Sequence, residues 1–379
     1  MRSCTATASH VWRGTLLSIA VVLVLGCSDD PAGPPQAPGF QGVVDSLARA
    51  WNLPGLVVGI RRSGEEPSVF ASGRAELTSG RRMTSLDRFR IGSLTKPMVA
   101  TVILQLADEG RLSLDDSLAR FLPGILPEAD RITLRQLLNH TSGIGDYVDD
   151  PGFVDAALAN PSRVWTPQQL IAIANGMPRR FTPGAADRWD YSNTNYILLG
   201  LVAEVAGDAP IAALLLTRVF EPLGMTSTYL SNSTALVAPF AQGYADLNGI
   251  SNLAVGTLVS PTVAGAAGAV VSTAGDLLRF VEALAAGDLV SPAAHAARLT
   301  TVPASRLRYP GESFDNAYGL GVLVGDGWIG HNGAIPGYET EAYAKQDVGS
   351  VVVLVNKSTG VFAALPIMIA VRDRTFAVQ

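Results

Sequence analysis

Between Met98 and Leu106 the apolar residues Met98, Val99, Val102, Ile103 and Leu106 fall three and four positions apart, and the run stops at Glu109-Gly110. That spacing predicts a helix with one greasy side, ended by glycine. Gly39 to Trp51 carries the same periodicity. Leu56–Arg61 and Val69–Arg74 are short, β-branched and apolar, and read as strands. Residues 116–254 hold helical patterns broken by loops. Strand patterns then return near Tyr318–Val324, Trp328–His331, Glu339–Lys345 and Ser350–Asn356, and Phe362–Val378 closes as a helix. Runs of strands and runs of helices, without regular alternation, predict an α/β chain of the α+β type. The expected architecture is an antiparallel sheet flanked by helices, plus a mostly helical subdomain at 116–254. No internal repeat is present.

The first residues follow another pattern. Arg2 and Arg13 precede an apolar run from Leu16 to Leu25, which is a signal-peptide core and too short to span a bilayer as a helix. It ends in Val24-Leu25-Gly26-Cys27, which resembles the lipobox of bacterial lipoproteins. The resemblance implies cleavage after residue 26, lipidation of Cys27 and an address on the periplasmic side of the cell envelope. An ordinary secretory signal with an incidental cysteine fits the same residues. Ser28 to Pro38 is polar and proline-rich, as a tether would be. The expected division is 1–26 signal, 27–39 linker and 40–379 domain.

Composition narrows the function. Removing residues 1–26 takes away two arginines and no acid, moving the net charge from −5 to −7. No basic face for nucleic acid is expected. The two cysteines are Cys4 and Cys27, so no disulfide is expected after processing, and about 340 residues can supply a packed core instead. Four histidines without metal-type spacing argue against a metalloenzyme, and no cofactor is expected.

Only three lysines stand against 25 arginines, and one of them is in Ser93-Leu94-Thr95-Lys96. Arginine stays charged, whereas a partly buried lysine can shed its proton near neutral pH. On a helix Lys96 lies on the same side as Ser93, where it could activate the hydroxyl. A serine cap followed by a solvated lysine fits the same residues. In Tyr191-Ser192-Asn193, residues two apart in an extended segment point one way, so a phenol and an amide could face one cleft. A helix entry in which Tyr191 packs and Asn193 caps is the alternative. In His331-Asn332-Gly333, a strand would put His331 and Gly333 on one face, with glycine letting a substrate backbone approach. A hairpin turn at Asn332-Gly333 competes with that reading. His140 reads as part of a structural turn.

Taken together and in order, the three motifs resemble those of the serine β-lactamase and penicillin-binding superfamily. Within it the chain looks like the branch of class C β-lactamases and D-alanyl-D-alanine carboxypeptidases, which also holds esterases and D-aminopeptidases. The likeness continues through Phe89–Ser93, Leu137–Gly143, Phe181–Gly184, Gly268–Thr273 and Tyr318–Gly321. It implies a β-lactamase/transpeptidase-like fold and an acyl-enzyme on Ser93, with Lys96 and Tyr191 sharing the proton transfers. It further implies that Asn193, His331 and Gly333 hold the substrate, and that the N–H groups of Ser93 and Ala334 form an oxyanion hole. The implied substrates are small peptides, esters or β-lactams, with the peptidoglycan stem peptide leading. An esterase or D-aminopeptidase, or a penicillin-binding sensor that stays acylated, is the alternative. His331 departs from the lysine that β-lactamases usually carry there, which weakens the expectation of efficient β-lactam hydrolysis. Oligomeric state is left open.

Overall fold

The structure, a computed structural model, describes residues 39–247, 250–303, 317–358 and 362–376. Cys27, the signal and most of the linker lie outside the described residues. Phe40–Ala50 forms the first helix (α1), with Val44 and Ala48 buried and Phe40 stacked at 4.8 Å on Phe70. It lies on the strands Gly55–Arg62 (β1) and Ser68–Gly73 (β2). Six further strands complete an eight-stranded sheet: Val302–Pro303 (β3), Ala317–Tyr318 (β4), Leu323–Gly325 (β5), Trp328–Ile335 (β6), Tyr338–Lys345 (β7) and Gly349–Val355 (β8). Their order is β2-β1-β8-β7-β6-β5-β4-β3, and every neighbouring pair is antiparallel.

β1 is the reason a run of apolar residues was needed rather than an alternation. It sits inside the sheet, with Leu56, Val58 and Ile60 facing one core and Val57 the other. Burial on both faces favours a continuous apolar run over an alternation. The first core is closed by α1 and by the final helix, Ala364–Phe376 (α5). The second is closed by Ala274–Ala286 (α4) and by Thr95–Asp108 (α2). The helix α2 was expected to be greasy on one side. Residues 95–104 are instead all buried, because Asn193–Gly207 (α3), the short helices Ile211–Leu215 and Pro292–Arg298, and the sheet surround it. A polar side chain on such a helix must find its partners inside the protein.

One expectation is corrected here. The strand expected over Tyr318–Val324 is two strands, broken where Gly321 turns with φ +77. A Cβ there would stand 2.5 Å from Ala100 Cβ and 2.8 Å from the Tyr196 hydroxyl, so only glycine lets this turn press onto α2. The segment 116–254 is helical only in its first part. Tyr244–Leu247 pairs with Ile250–Ala254, and runs parallel to Lys357–Ser358 near the other end of the chain. Tyr229–Leu230 joins a three-stranded sheet with Val270–Ser272 and Phe89–Arg90, and it is this small sheet that delivers the chain into the Ser93 turn.

Candidate active site

From Phe89–Arg90 the chain passes through a single 3₁₀ turn, Gly92–Leu94, into α2. Ser93 is half-buried in that turn, and Lys96 is fully buried in the first turn of the helix. The solvated-lysine alternative does not fit this placement. Lys96 Nζ lies 2.9 Å from Ser93 Oγ, 2.8 Å from Asn193 Oδ1 and 2.8 Å from the Ala267 carbonyl oxygen. Three acceptors match the three donors of an ammonium. A neutral amine would keep two donors on Asn193 and Ala267 and turn its lone pair to the serine hydroxyl, which is the form that can take its proton. The Tyr191 ring lies 4.8 Å from Nζ and that of Tyr196 5.6 Å.

The second motif reaches the same point from α3. Ser192 is extended (φ −139°, ψ 120°) and precedes the first helical residue, Asn193. Tyr191 and Asn193 therefore turn toward one side, as the spacing predicts. Asn193 presents its oxygen to Lys96 and donates from Nδ2 to Asp146 Oδ2 at 2.9 Å, which fixes the orientation of the amide. Its other amide hydrogen can meet a substrate carbonyl. Asp146, buried in the turn Tyr147–Asp149 as its cap, was not found by sequence reasoning. The only signal was the glycine-flanked run Ser142–Asp146 after the quoted Leu137–Gly143. Ala267, which contributes only its carbonyl, gave no side-chain signal at all.

The third motif is strand, not hairpin turn. His331–Ala334 lie in β6, paired with β7 from His331↔Ala342 to Ala334↔Glu339. The neighbour β5 reaches only as far as Gly330, so beyond it β6 pairs with β7 alone and its other edge lies against the Ser93 turn. A Cβ on Gly333 would stand 2.0 Å from the Ile91 carbonyl oxygen and 3.2 Å from Ser93 N. A Cβ on Gly92, whose φ is +53, would stand 2.7 Å from Ala334 N. Two glycines thus let two backbones touch, and the backbone nitrogens of Ser93 and Ala334 lie near each other. Donors so placed stabilise an oxyanion without reorganising during the reaction. Ala334 itself is exposed. Gly333→Ala is expected to lower the acylation rate about 10²- to 10³-fold, by prising the two donors apart. Stopped-flow hydrolysis of a p-nitrophenyl ester, with circular dichroism as the folding control, measures it; an unchanged rate would remove Ala334 from the site.

His331 is corrected. It was expected to touch substrate, but its ring is fully buried. Nδ1 lies 2.6 Å from the Asn332 carbonyl oxygen and Nε2 3.0 Å from the Tyr318 hydroxyl. A carbonyl only accepts, so Nδ1 carries the hydrogen and Nε2 accepts from Tyr318. Burial, and then the charge of Lys96, push the imidazole pKa down to about 3. Between that value and about 6.5 the unfolded chain binds a proton at this histidine that the folded chain refuses. Stability is therefore expected to fall as pH drops below about 6.5, by up to about 1.4 kcal/mol per pH unit from this residue. Urea unfolding at pH 7, 6, 5 and 4 should show a shallower slope for His331→Asn. Equal slopes would contradict the assignment.

His140, expected to belong to a structural turn, does sit in one. It is also buried within 4.4 Å of the Tyr191 ring, centroid to centroid. Among the described residues no cluster of three His, Cys, Asp or Glu side chains could hold a metal.

The sequence matches the Beta-lactamase family model over residues 40–370. It is 30% identical over 285 residues to a penicillin-binding protein of Bacillus subtilis (strain 168), an alignment covering 71% of this chain and 60% of that relative. The chain thus spans about three fifths of the length of that relative. A D-stereospecific amidohydrolase from Streptomyces sp. superposes with a TM-score of 0.77 at 33% identity, covering 89% of this chain and 97% of the other. The D-amino acid amidase from Ochrobactrum anthropi SV3, solved with L-phenylalanine amide, gives a TM-score of 0.78 at 27% identity, covering 88% and 96%.

Proposed function

This chain belongs to the β-lactamase family, and on that premise we propose that it is a serine acyl hydrolase working through an ester on Ser93. Neutral Lys96 takes the hydroxyl proton as Ser93 Oγ attacks a carbonyl. The oxyanion sits between the Ser93 and Ala334 N–H groups. The proton passes by way of Tyr191 to the leaving amine or alcohol as its bond to the carbonyl carbon breaks. Water then attacks the ester and returns the hydrogen to Ser93. The observation that carries this reading is the 2.9 Å contact of the buried Lys96 Nζ with Ser93 Oγ, in a turn where the Ser93 and Ala334 backbones touch.

The substrate we propose is an amide of a D-amino acid. Two observations support it. His331 is neutral and enclosed where a β-lactamase would place a fixed cation, so nothing at that position favours a carboxylate. Two similar structures of comparable length are hydrolases of D-configured amides by name. A D-alanyl-D-alanine carboxypeptidase that binds penicillin is the second reading, favoured by the Bacillus relative. Export and attachment through lipidated Cys27 complete the proposal on the sequence alone. Mass spectrometry of the mature N-terminus would show a diacylated cysteine, and an unmodified terminus would sink that part.

An intact-mass time course of the full chain separates the readings, with D-phenylalanine amide, L-phenylalanine amide and benzylpenicillin as substrates. Release of D-phenylalanine alone supports the first. A penicillin adduct lasting hours, without amide turnover, supports the second. Rapid consumption of the drug would contradict the argument from His331.

A further inference from the structure

A motif that the catalytic reading leaves unused surrounds His140. This residue follows the short helix Leu134–Leu138, and its backbone is left-handed, with φ +62. A side chain other than glycine is strained in that region and persists only where its surroundings require it. What they require is visible in its contacts. The His140 carbonyl accepts from Asp190 N at 3.2 Å. Its Nδ1 accepts from Ser192 N, also at 3.2 Å. The ring between those two bonds lies 4.4 Å from the Tyr191 ring at an interplanar angle of 32°. One residue therefore grips the segment before Tyr191, supports Tyr191 itself, and grips the segment after it.

The protonation of the imidazole follows from its neighbours. Asn195 Oδ1 receives the Ser142 hydroxyl at 2.8 Å, so its Nδ2 is the atom turned to His140 Nδ1, at 3.2 Å. Nδ1 thus faces two N–H donors and must offer a lone pair, leaving the ring hydrogen on Nε2. Trp189, Tyr196 and Tyr318 pack around the same ring at 5.9, 5.5 and 4.8 Å.

We propose that His140 is a positioning residue, whose carbonyl and imidazole clamp Asp190–Ser192 and thereby set the Tyr191 phenol and the Asn193 amide against Lys96. The inference rests on the serine-hydrolase reading and assigns to the clamp the rate of proton transfer rather than the affinity for substrate. Displacement of a reacting group by about 1 Å can lower a rate about 10²-fold while leaving binding contacts intact.

The test uses the full chain and a fluorophosphonate probe, with labelling of Ser93 followed by intact mass so that kinact and KI are separated. His140→Phe keeps a ring but removes the acceptor. His140→Asn keeps an acceptor near Nδ1 and tolerates the left-handed backbone. The expected result is a fall in kinact of about 30- to 100-fold for the phenylalanine variant, with KI within about threefold. The asparagine variant should recover to within about fivefold of the parent rate. Should the phenylalanine variant not fold, His140→Gly relieves the backbone strain, empties the ring site and should regain kinact on addition of imidazole. Unchanged kinact in a folded phenylalanine or glycine variant overturns the proposal. So does an equal loss in the phenylalanine and asparagine variants that follows their melting temperatures. A parent chain that the probe does not label overturns the serine-hydrolase reading itself, a distinct result.

Discussion

Ser93→Ala is expected to give no covalent adduct with any amide, ester or lactam, and to lower turnover by about 10⁴- to 10⁶-fold. The hydroxyl removed is the only atom of this residue that can bond to a carbonyl carbon, and it is the hydroxyl that meets the buried lysine. The fold should be indifferent to the change. Among the described residues Ser93 Oγ is bonded to Lys96, the residue is half-buried, and the turn around it is shaped by Gly92 and Gly333 rather than by the serine. The melting temperature should therefore stay close to that of the parent while chemistry disappears. Intact mass with benzylpenicillin or a p-nitrophenyl ester reads the adduct directly. An adduct of the same mass on the alanine variant would mean that another side chain is the nucleophile.

Lys96→Arg tests the other half of the pair. Arginine keeps the charge but holds its proton at every pH at which the protein is folded. If the lysine acts as a base, the variant should lose about 10³-fold or more in acylation, because a general base contributes on the order of 10²–10⁴ and the larger guanidinium must also fit a fully buried space. Raising the pH to 10 should not restore the rate. If Lys96 served only as a fixed positive charge beside Asn193 and the Ala267 carbonyl, arginine would retain much of the activity. Burst-phase kinetics on a p-nitrophenyl ester across pH 6–10 distinguishes the two, and activity above about a tenth of the parent would transfer the base role elsewhere.

The chemistry of Ser93 and Lys96 could be read from the chain because their geometry is local. Three residues on one helix turn have a nearly fixed separation, whatever the rest of the fold does. Tyr191 and Asn193 were legible for the same reason, once the segment before α3 was taken as extended. What could not be read depends on residues far apart in sequence. Asp146 orients Asn193 across 47 positions, and Ala267 contributes only a backbone oxygen. His331 shows the limit most clearly. Its strand was anticipated, but depth was not, because alternation along a strand says which residues share a face and not how thick the layer over that face is. The same limit hid the parallel pairing of Lys357–Ser358 with Tyr244–Ala245, whose partners are more than a hundred residues apart. By contrast β1 and β8 were found nearly to their ends, since burial on both faces writes itself into their apolar composition.

The position of β1 between β2 and β8 has a consequence for how this chain comes into being. Arg62 finds Gly349 as its partner, so the strand made first on one side of the sheet waits for the strand made last. A nascent chain emerging from its amino end can form the hairpin of β1 with β2 and the helix that carries Ser93. It cannot close the sheet until nearly all of the domain has been synthesised. Pairing across so long a loop is slow, and during that interval one edge of β1 stays unpaired and apolar. A transcript cut short before codon 349 would therefore yield a chain carrying the Ser93 and Lys96 codons, with an open strand edge that invites association with other copies. Holdase chaperones, rather than folding enzymes, are the assistance such a chain would call for.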